Sequence, residues 1–289
     1  MPARLRAGGG GAFTDDLGRE VTVDAPQRVA PLIGSFADMW CLAGGRDTLA
    51  ATANDAWTSF DLGLSDEVVN LGATTALSLE SLIAAEPDFV IGSCNTAIDL
   101  ELEDTLTALG IPVAYFQVDA FEDYLNMFNI LTQITGRDDL YDQYGVQVRA
   151  RVEAAKARAD GGAPTVLYVR ATGSSVKAKG RDTVLGAMLA DLGCVNVADS
   201  GDGLLESLSL EAILEADPDY VFLVYQGSDP SDAEKLMEET LLSNPAWATL
   251  RAVEEGRCYR MDPSLYNLKP NGRWGTAYEQ LAEILYGAP

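Results

Sequence analysis

Histidine is absent from the chain. Imidazole acid–base chemistry, Ser-His-Asp triads and His-ligated zinc or haem are therefore excluded. Positive charge is scarce: 20 Lys and Arg stand against 44 Asp and Glu, a net charge of −24 over 289 residues. A field of that sign repels nucleic acid and anionic membrane surfaces, so neither is an expected partner. Cysteine is sparse. Cys41, Cys94, Cys194 and Cys258 form no CxxC pair, which argues against a metal cage and for four small buried hydrophobes, with Cys94, at a strand end, the one open to exposure. No run is long and apolar enough to read as a membrane span or a signal peptide. Residues 1–12, with Arg4, Arg6 and the glycines from Gly8 to Gly11, read as a flexible leader. Either the protein is cytoplasmic or its export segment lies outside this chain.

What is present is a sequence able to bury a core, 47% hydrophobic and 22% charged, of a length that fits one large domain or two ordinary ones. Its most informative feature is a duplication. LSLESLIAAEPDFVI at 77–91 recurs as LSLEAILEADPDYVF at 208–222, identical at eight of 15 positions, and Gly72 and Gly203 keep the same spacing. Each copy reads as Ser78 or Ser209 capping a short helix, Glu80 or Glu211 in its first turn, Pro87 or Pro218 stopping it, and a buried strand after it. Helix then buried strand, used twice, predicts two similar parallel α/β halves.

Other segments fit that scheme. Strands are expected at 29–33, 112–116, 165–169 and 257–261, and helices at 36–43, 102–109, 184–192 and from Asn244 to Gly256. Between the halves, Asp119 to Glu122 reads as a capping box, Phe121, Leu125, Phe128 and Leu131 as one helical stripe, and Leu140, Tyr144, Val148 and Val152 as another. A helix over 139–158 would be about 30 Å long at 1.5 Å per residue. It reads as a strut between halves, the alternative being two surface helices of the first half. The expected fold is therefore α/β, two similar Rossmann-like lobes with parallel sheets joined by one long α-helix. The boundaries are 1–25 for the leader and lobe entry, 26–118 for the first lobe, 119–160 for the link and 161–289 for the second lobe.

Two α/β lobes, a helical connection, LE-x-[LI]-x4-PD-[FY]-V in each half and the carboxyl-terminal run PAWATLRAVEEGRCY at 245–259 together resemble the ABC-transporter substrate-binding proteins for ferric siderophores, haem and cobalamin. The resemblance covers about 13–286. It implies an exported, periplasmic or lipid-anchored binding protein that is not an enzyme, although the chain has no lipobox cysteine. It also implies a small-molecule metal chelate as ligand, no cofactor, a monomeric state, and an ABC permease dimer as partner. In that family one surface glutamate per lobe docks on permease arginines, and Glu80 and Glu211 match that motif; the alternative is that each merely complements its helix dipole.

In parallel α/β lobes ligands bind beyond the carboxyl ends of the strands. That points to Ser35, to Cys94 and Asn95, to the turn after Phe116, to Arg170 and to Tyr225, gathered in a cleft between the lobes. Residues 170–181 hold Arg170, Lys177, Lys179 and Arg181 with no acid, four cations in 12 residues where the chain averages about one in 14. They read as a flexible polar loop, and Lys269 and Arg273 mark a second basic turn. Cations held in a cleft of an acidic protein focus the field on an anion; the alternative is a solvated loop paired with surface acids. Trp57, Tyr225 and Tyr266 are candidates to pack on the ligand, Tyr266 also as a haem-iron ligand, while Trp247, Trp274 and Tyr278 read as core. The expected ligand is an anionic ferric siderophore. Haem, a corrinoid or a molybdate-like oxyanion remain alternatives, and a two-lobed metal chelatase is the alternative of another class. A glycosyltransferase is disfavoured by the repeat and by the missing nucleotide loop.

Overall fold

A computed structural model describes residues 10–200, 209–227 and 230–288. The sequence features at 1–9, Gly203 and Leu208 lie outside the described residues. The chain forms two compact units, Met1–Val148 and Arg149–Pro289.

The first unit opens with an antiparallel hairpin, β1 (Gly10–Thr14) and β2 (Glu20–Asp24). Gly10 and Gly11 thus belong to a strand, not to a flexible leader. Asp15 fastens the hairpin turn: its buried carboxylate accepts from the Leu17, Arg19 and Tyr115 amides and from the Arg19 guanidinium. The parallel strands that follow are β3 (Val29–Pro31), β4 (Ala51–Thr52), β5 (Val69–Asn70), β6 (Phe89–Ser93) and β7 (Val113–Phe116). β6 lies between β3 and β7, β4 pairs with β5, and a Val29–Leu49 bridge brings the two sheets together. Ala30, Leu32, Ala51, Val90, Val113 and Tyr115 share one buried cluster. Every residue of β6 is buried, which is why that strand reads as an unbroken apolar run rather than an alternation.

The helices of this unit are α1 (Gly34–Trp40), α2 (Asp55–Thr58), α3 (Leu79–Ala84), α4 (Ala97–Glu101), α5 (Glu103–Ala108) and α6 (Phe121–Thr135). α6 buries Phe121, Leu125, Phe128 and Leu131, as the stripe requires, and closes on Gly136 at φ 70°. Its cap sits one residue later than the motif suggests: Ala120 is the N-cap, and Asp123 accepts from the Asp119 and Ala120 amides. The expected single long helix is not there. The segment divides into α7 (Asp138–Tyr141), a π-helical turn (Asp142–Val146) and α8 (Gln147–Lys156), and the boundary between the units falls inside α8.

The second unit is a parallel sheet in the order β10 (Val195–Asn196), β8 (Thr165–Ala171), β11 (Tyr220–Tyr225) and β12 (Cys258–Met261), with β9 (Val176–Ala178) antiparallel on β8. Helices α9 (Val184–Asp191) and α10 (Leu210–Ala216) precede β10 and β11. The stretch after Asn244 is a 3-10 turn, Trp247–Thr249, then a short helix, Arg251–Glu254; extended Leu250 separates them.

The duplicated motif folds the same way in both units. Ser78 accepts from the Ser81 amide at 3.1 Å and Ser209 from the Ala212 amide at 3.4 Å. The residue before each proline is left-handed, Glu86 at φ 48° and Asp217 at φ 34°. The aspartate after each proline reaches the start of a neighbouring strand: Asp88 accepts from the Gln27 and Arg28 amides, Asp219 from the Thr165 amide and hydroxyl. An arginine covers the helix-end carbonyls in each copy, Arg28 on Ala85 and Glu86, Arg251 on Asp217. The repeat therefore encodes a helix stop and a strand anchor in five residues.

Candidate functional site

The basic residues of the second unit lie on a β-hairpin, not a flexible loop. Thr172 closes its turn, its hydroxyl accepting from the Ser174 and Ser175 amides. In the β8–β9 register Arg170 faces Lys177, and the Lys179 amide donates to the Tyr168 carbonyl. Side chains two apart on a strand share a face, so Tyr168, Arg170, Lys177 and Lys179 stand on one side. The opposite side, Leu167, Val169 and Ala171, packs into the core with Val176 and Ala178.

Like charges directly across a ladder destabilise it. Among the described residues, none of Arg170, Lys177 and Lys179 is in an ion pair that would offset this. Arg170 donates to Asn267 Oδ1 at 3.2 Å. Lys179 is half-buried, and burial, then the Arg170 and Lys177 charges, lower its pKa against the opposing pull of Asp182. Tyr168 is pushed up to about 12 by burial, with Arg170 working the other way. Beside the hairpin is a hollow of about 470 Å³ lined by Lys177, Ala178, Lys179, Gly180, Asp182, Ala198 and Asp199. Arg181, from the same stretch, points to Asp199 instead, 3.5 Å away. The hairpin thus carries a concentrated, partly desolvated positive charge on a strongly negative protein. Groups of that kind hold an oxyanion through charge-assisted hydrogen bonds.

The other expected ligand residues are placed separately. Tyr225 ends β11 on the opposite face of the sheet from Arg170. It is 7% exposed, and Arg260 lies 4.5 Å over its ring. Tyr266 is 1% exposed, and its hydroxyl donates to the Ala277 carbonyl at 3.0 Å, a core position. Arg273 is exposed and donates to Ser264, and Lys269 is half-buried in the same turn. Trp247, Trp274 and Tyr278 are buried as expected.

In the first unit, Ser35 is buried in the first turn of α1, Trp57 is half-buried on α2, Cys94 is half-buried after β6, and Asn95 is exposed. Asn95 donates to Asp119 Oδ1, which with Asp119 Oδ2 receiving Gln117 ties the turns after β6 and β7 together. Cys94 is pushed up to about 11 by burial and by Asp16 and Asp15, so it is a thiol, not a thiolate, at neutral pH. Cys194 is buried, and Cys41 and Cys258 are half-buried. Glu80 and Glu211 are exposed in the first turns of α3 and α10.

Sequence reasoning missed two groups that shape these edges. Asp55 accepts from the Gly34 amide at 2.8 Å, and fully buried Asp99 accepts from the Ser93 amide at 2.8 Å. The hairpin did have a signal, the alternation of Tyr168, Arg170, Lys177 and Lys179 about a Thr-Gly-Ser-Ser turn. The two carboxylates, half-buried Asp55 and buried Asp99, had none. Among the described residues there is no group of three or more acidic or cysteine side chains placed to hold a metal ion, and no helix is long and apolar enough to cross a membrane.

A family model described as Periplasmic binding protein matches residues 35–265. The chain is 26% identical over 230 residues to the iron(3+)-hydroxamate-binding protein FhuD of Bacillus subtilis, covering 76% of this chain and 69% of that protein. It superposes on the periplasmic haem-binding protein RhuT of Roseiflexus sp. RS-1 with a TM-score of 0.71 at 22% identity, covering 90% of this chain and 98% of that one. On the petrobactin-binding protein YclQ of Bacillus subtilis the TM-score is 0.73 at 17% identity, over 96% and 97% of the two chains. These structural likenesses establish an α/β fold related to bilobal periplasmic binding proteins. The chain belongs to the periplasmic binding protein family, class III, whose members are non-catalytic, and it is an extracytoplasmic solute-binding protein.

Proposed function

We propose that the solute is a metal chelate delivered to an ABC importer, that it is anionic, a ferric siderophore, and that Arg170, Lys177 and Lys179 hold its negative charge. The observation that carries this reading is the hairpin register, which sets three cations on one face beside a hollow. Arg170 opposite Lys177 costs the ladder stability, and a bound anion would offset that cost, although Asp182 and Asp199 line the same hollow. Lys269 and Arg273 add positive charge on a second turn. Ser35, Trp57, Cys94 and Asn95 edge the strand ends of the first unit, where ligands of parallel α/β folds bind. Buried Tyr266 and Tyr225 serve their own unit's packing and reach the chelate only if those segments rearrange. A haem reading is weaker here, because among the described residues that line the hollow there is no Met, Cys or Tyr to ligate haem iron.

Glu80 and Glu211, one exposed carboxylate at the same point of each repeat, dock the protein on its permease. Their spacing in the sequence and their solvent exposure support this. The direct test of the ligand is quenching of the four tryptophans by ferric tris-catecholate, ferric trihydroxamate, haemin, cobinamide and molybdate. Saturable quenching strongest with the anionic ferric chelate is expected. Saturation by cobinamide or haemin alone would remove the proposal.

A further inference from the structure

Two backbone amides at the strand ends of the first unit are held by carboxylates. Asp55 takes the Gly34 amide, and Asp99 takes the Ser93 amide. The contact at Gly34 is close: a Cβ there would stand 2.6 Å from the Ala56 nitrogen. Asp99 has no solvent exposure, and its Oδ1 has no hydrogen-bond partner among the described residues. Across the elements packed on it, the charge that bears on Asp99 is the Asp55 carboxylate from α2. Tyr115 of β7 donates its hydroxyl to the Asp99 carbonyl at 2.6 Å and brings no cation to the carboxylate. The Arg19 guanidinium nearest that ring is engaged by Asp15 and Glu103.

A dry carboxylate that feels a second negative charge, with one oxygen unpartnered among the described residues, is a poor place for a negative charge. A proton on Oδ1 removes the repulsion and leaves Oδ2 free to keep the Ser93 amide. We propose that Asp99 is a proton-dependent positioning residue: protonated, it latches the turn 93–95 against the sheet; ionised, it favours opening of that turn to hydrate the charge. Burial first, and Asp55 after it, push Asp99 up to about 7 against the pull of the Ser93 amide, so the latch works near neutral pH. The turn carries Cys94 and Asn95. An effect on chelate affinity rests on the proposed function above, with tighter holding at pH 6 than at pH 8.

The test is amide hydrogen exchange on the full chain, without chelate, from pH 6 to pH 8, corrected for intrinsic rates. The neutral fraction of a group titrating near 7 falls about tenfold over that range. Ser93 protection should fall by a similar factor in the wild type and stay high in Asp99→Asn, whose amide is neutral throughout. A flat wild type, or an equal fall in Asp99→Asn, overturns the latch. Should Asp99→Asn not fold, Asp55→Asn is the second variant: the wild-type midpoint should move to lower pH, and an unmoved midpoint counts against the proposal. Ferric tris-catecholate is then titrated at both pH values. Protection that titrates while this probe fails to saturate at either pH supports the latch and overturns the ligand reading. Saturable binding with unmoved Ser93 protection overturns the latch alone.

Discussion

Asp15 receives five hydrogen bonds, three from backbone amides and two from Arg19. These bonds join the β1–β2 turn to β7. Asp15→Ala should cost about 3 kcal/mol in urea unfolding, because it leaves Arg19 half-paired and three amides unmet. Asp99 is the opposite case, with one amide donor and a like charge nearby. Its pKa is higher folded than unfolded, so its contribution to stability is fully present below about pH 4 and is lost as pH rises through about 7. The stability of Asp99→Asn relative to wild type should therefore grow between pH 4 and 7, by up to about 4 kcal/mol, and level off above. Unfolding curves at pH 5, 6, 7 and 8 check both the sign and the window. Neither aspartate is visible in the sequence. Each is one of 44 acids, and what separates them is burial, which is decided by distant packing.

At the scale of elements, the repeat was legible because its signals are local: a serine cap, an apolar face, a proline stop and a β-rich run. The strand anchors Asp88 and Asp219 hide in the same motif, since their partners lie about 60 and 54 residues away. Asp219→Ala should lower stability by about 2 kcal/mol by freeing the Thr165 amide and hydroxyl and the Arg251 guanidinium, seen as a shifted urea midpoint. Gly34→Ala should cost at least as much, since the new methyl would meet backbone of α2 rather than a side chain that could turn away. The hairpin β8–β9 reads as a loop in the sequence. Its second strand is only three residues, and its glycines and serines mimic linker composition. The helix expected over 139–158 was right in periodicity, with Val148 and Val152 buried, but a π turn at Asp142–Val146 divides it. A stripe spaced every four residues runs ahead of an α-helix's 3.6, and a wider local turn is one way to absorb the difference.

For the molecule as a whole, the absences in the composition and the family match agree: a chain without histidine has no need of a general base if its task is to bind and deliver. Reversing Glu80 and Glu211 together should abolish uptake of the chelate in cells while its affinity for the isolated protein stays the same. Loss of both would place these residues in folding or binding instead. The central claim is that the cationic hairpin face holds the anionic chelate. It is tested most directly by titrating ferric tris-catecholate into the wild type and into Lys177→Gln/Lys179→Gln while following tryptophan fluorescence. Two charge-assisted contacts of about 1.5–3 kcal/mol each predict a loss of at least about a hundredfold in affinity, with a Tm no lower than that of the wild type, since the charge opposite Arg170 is gone. Equal affinities in the two proteins would contradict it.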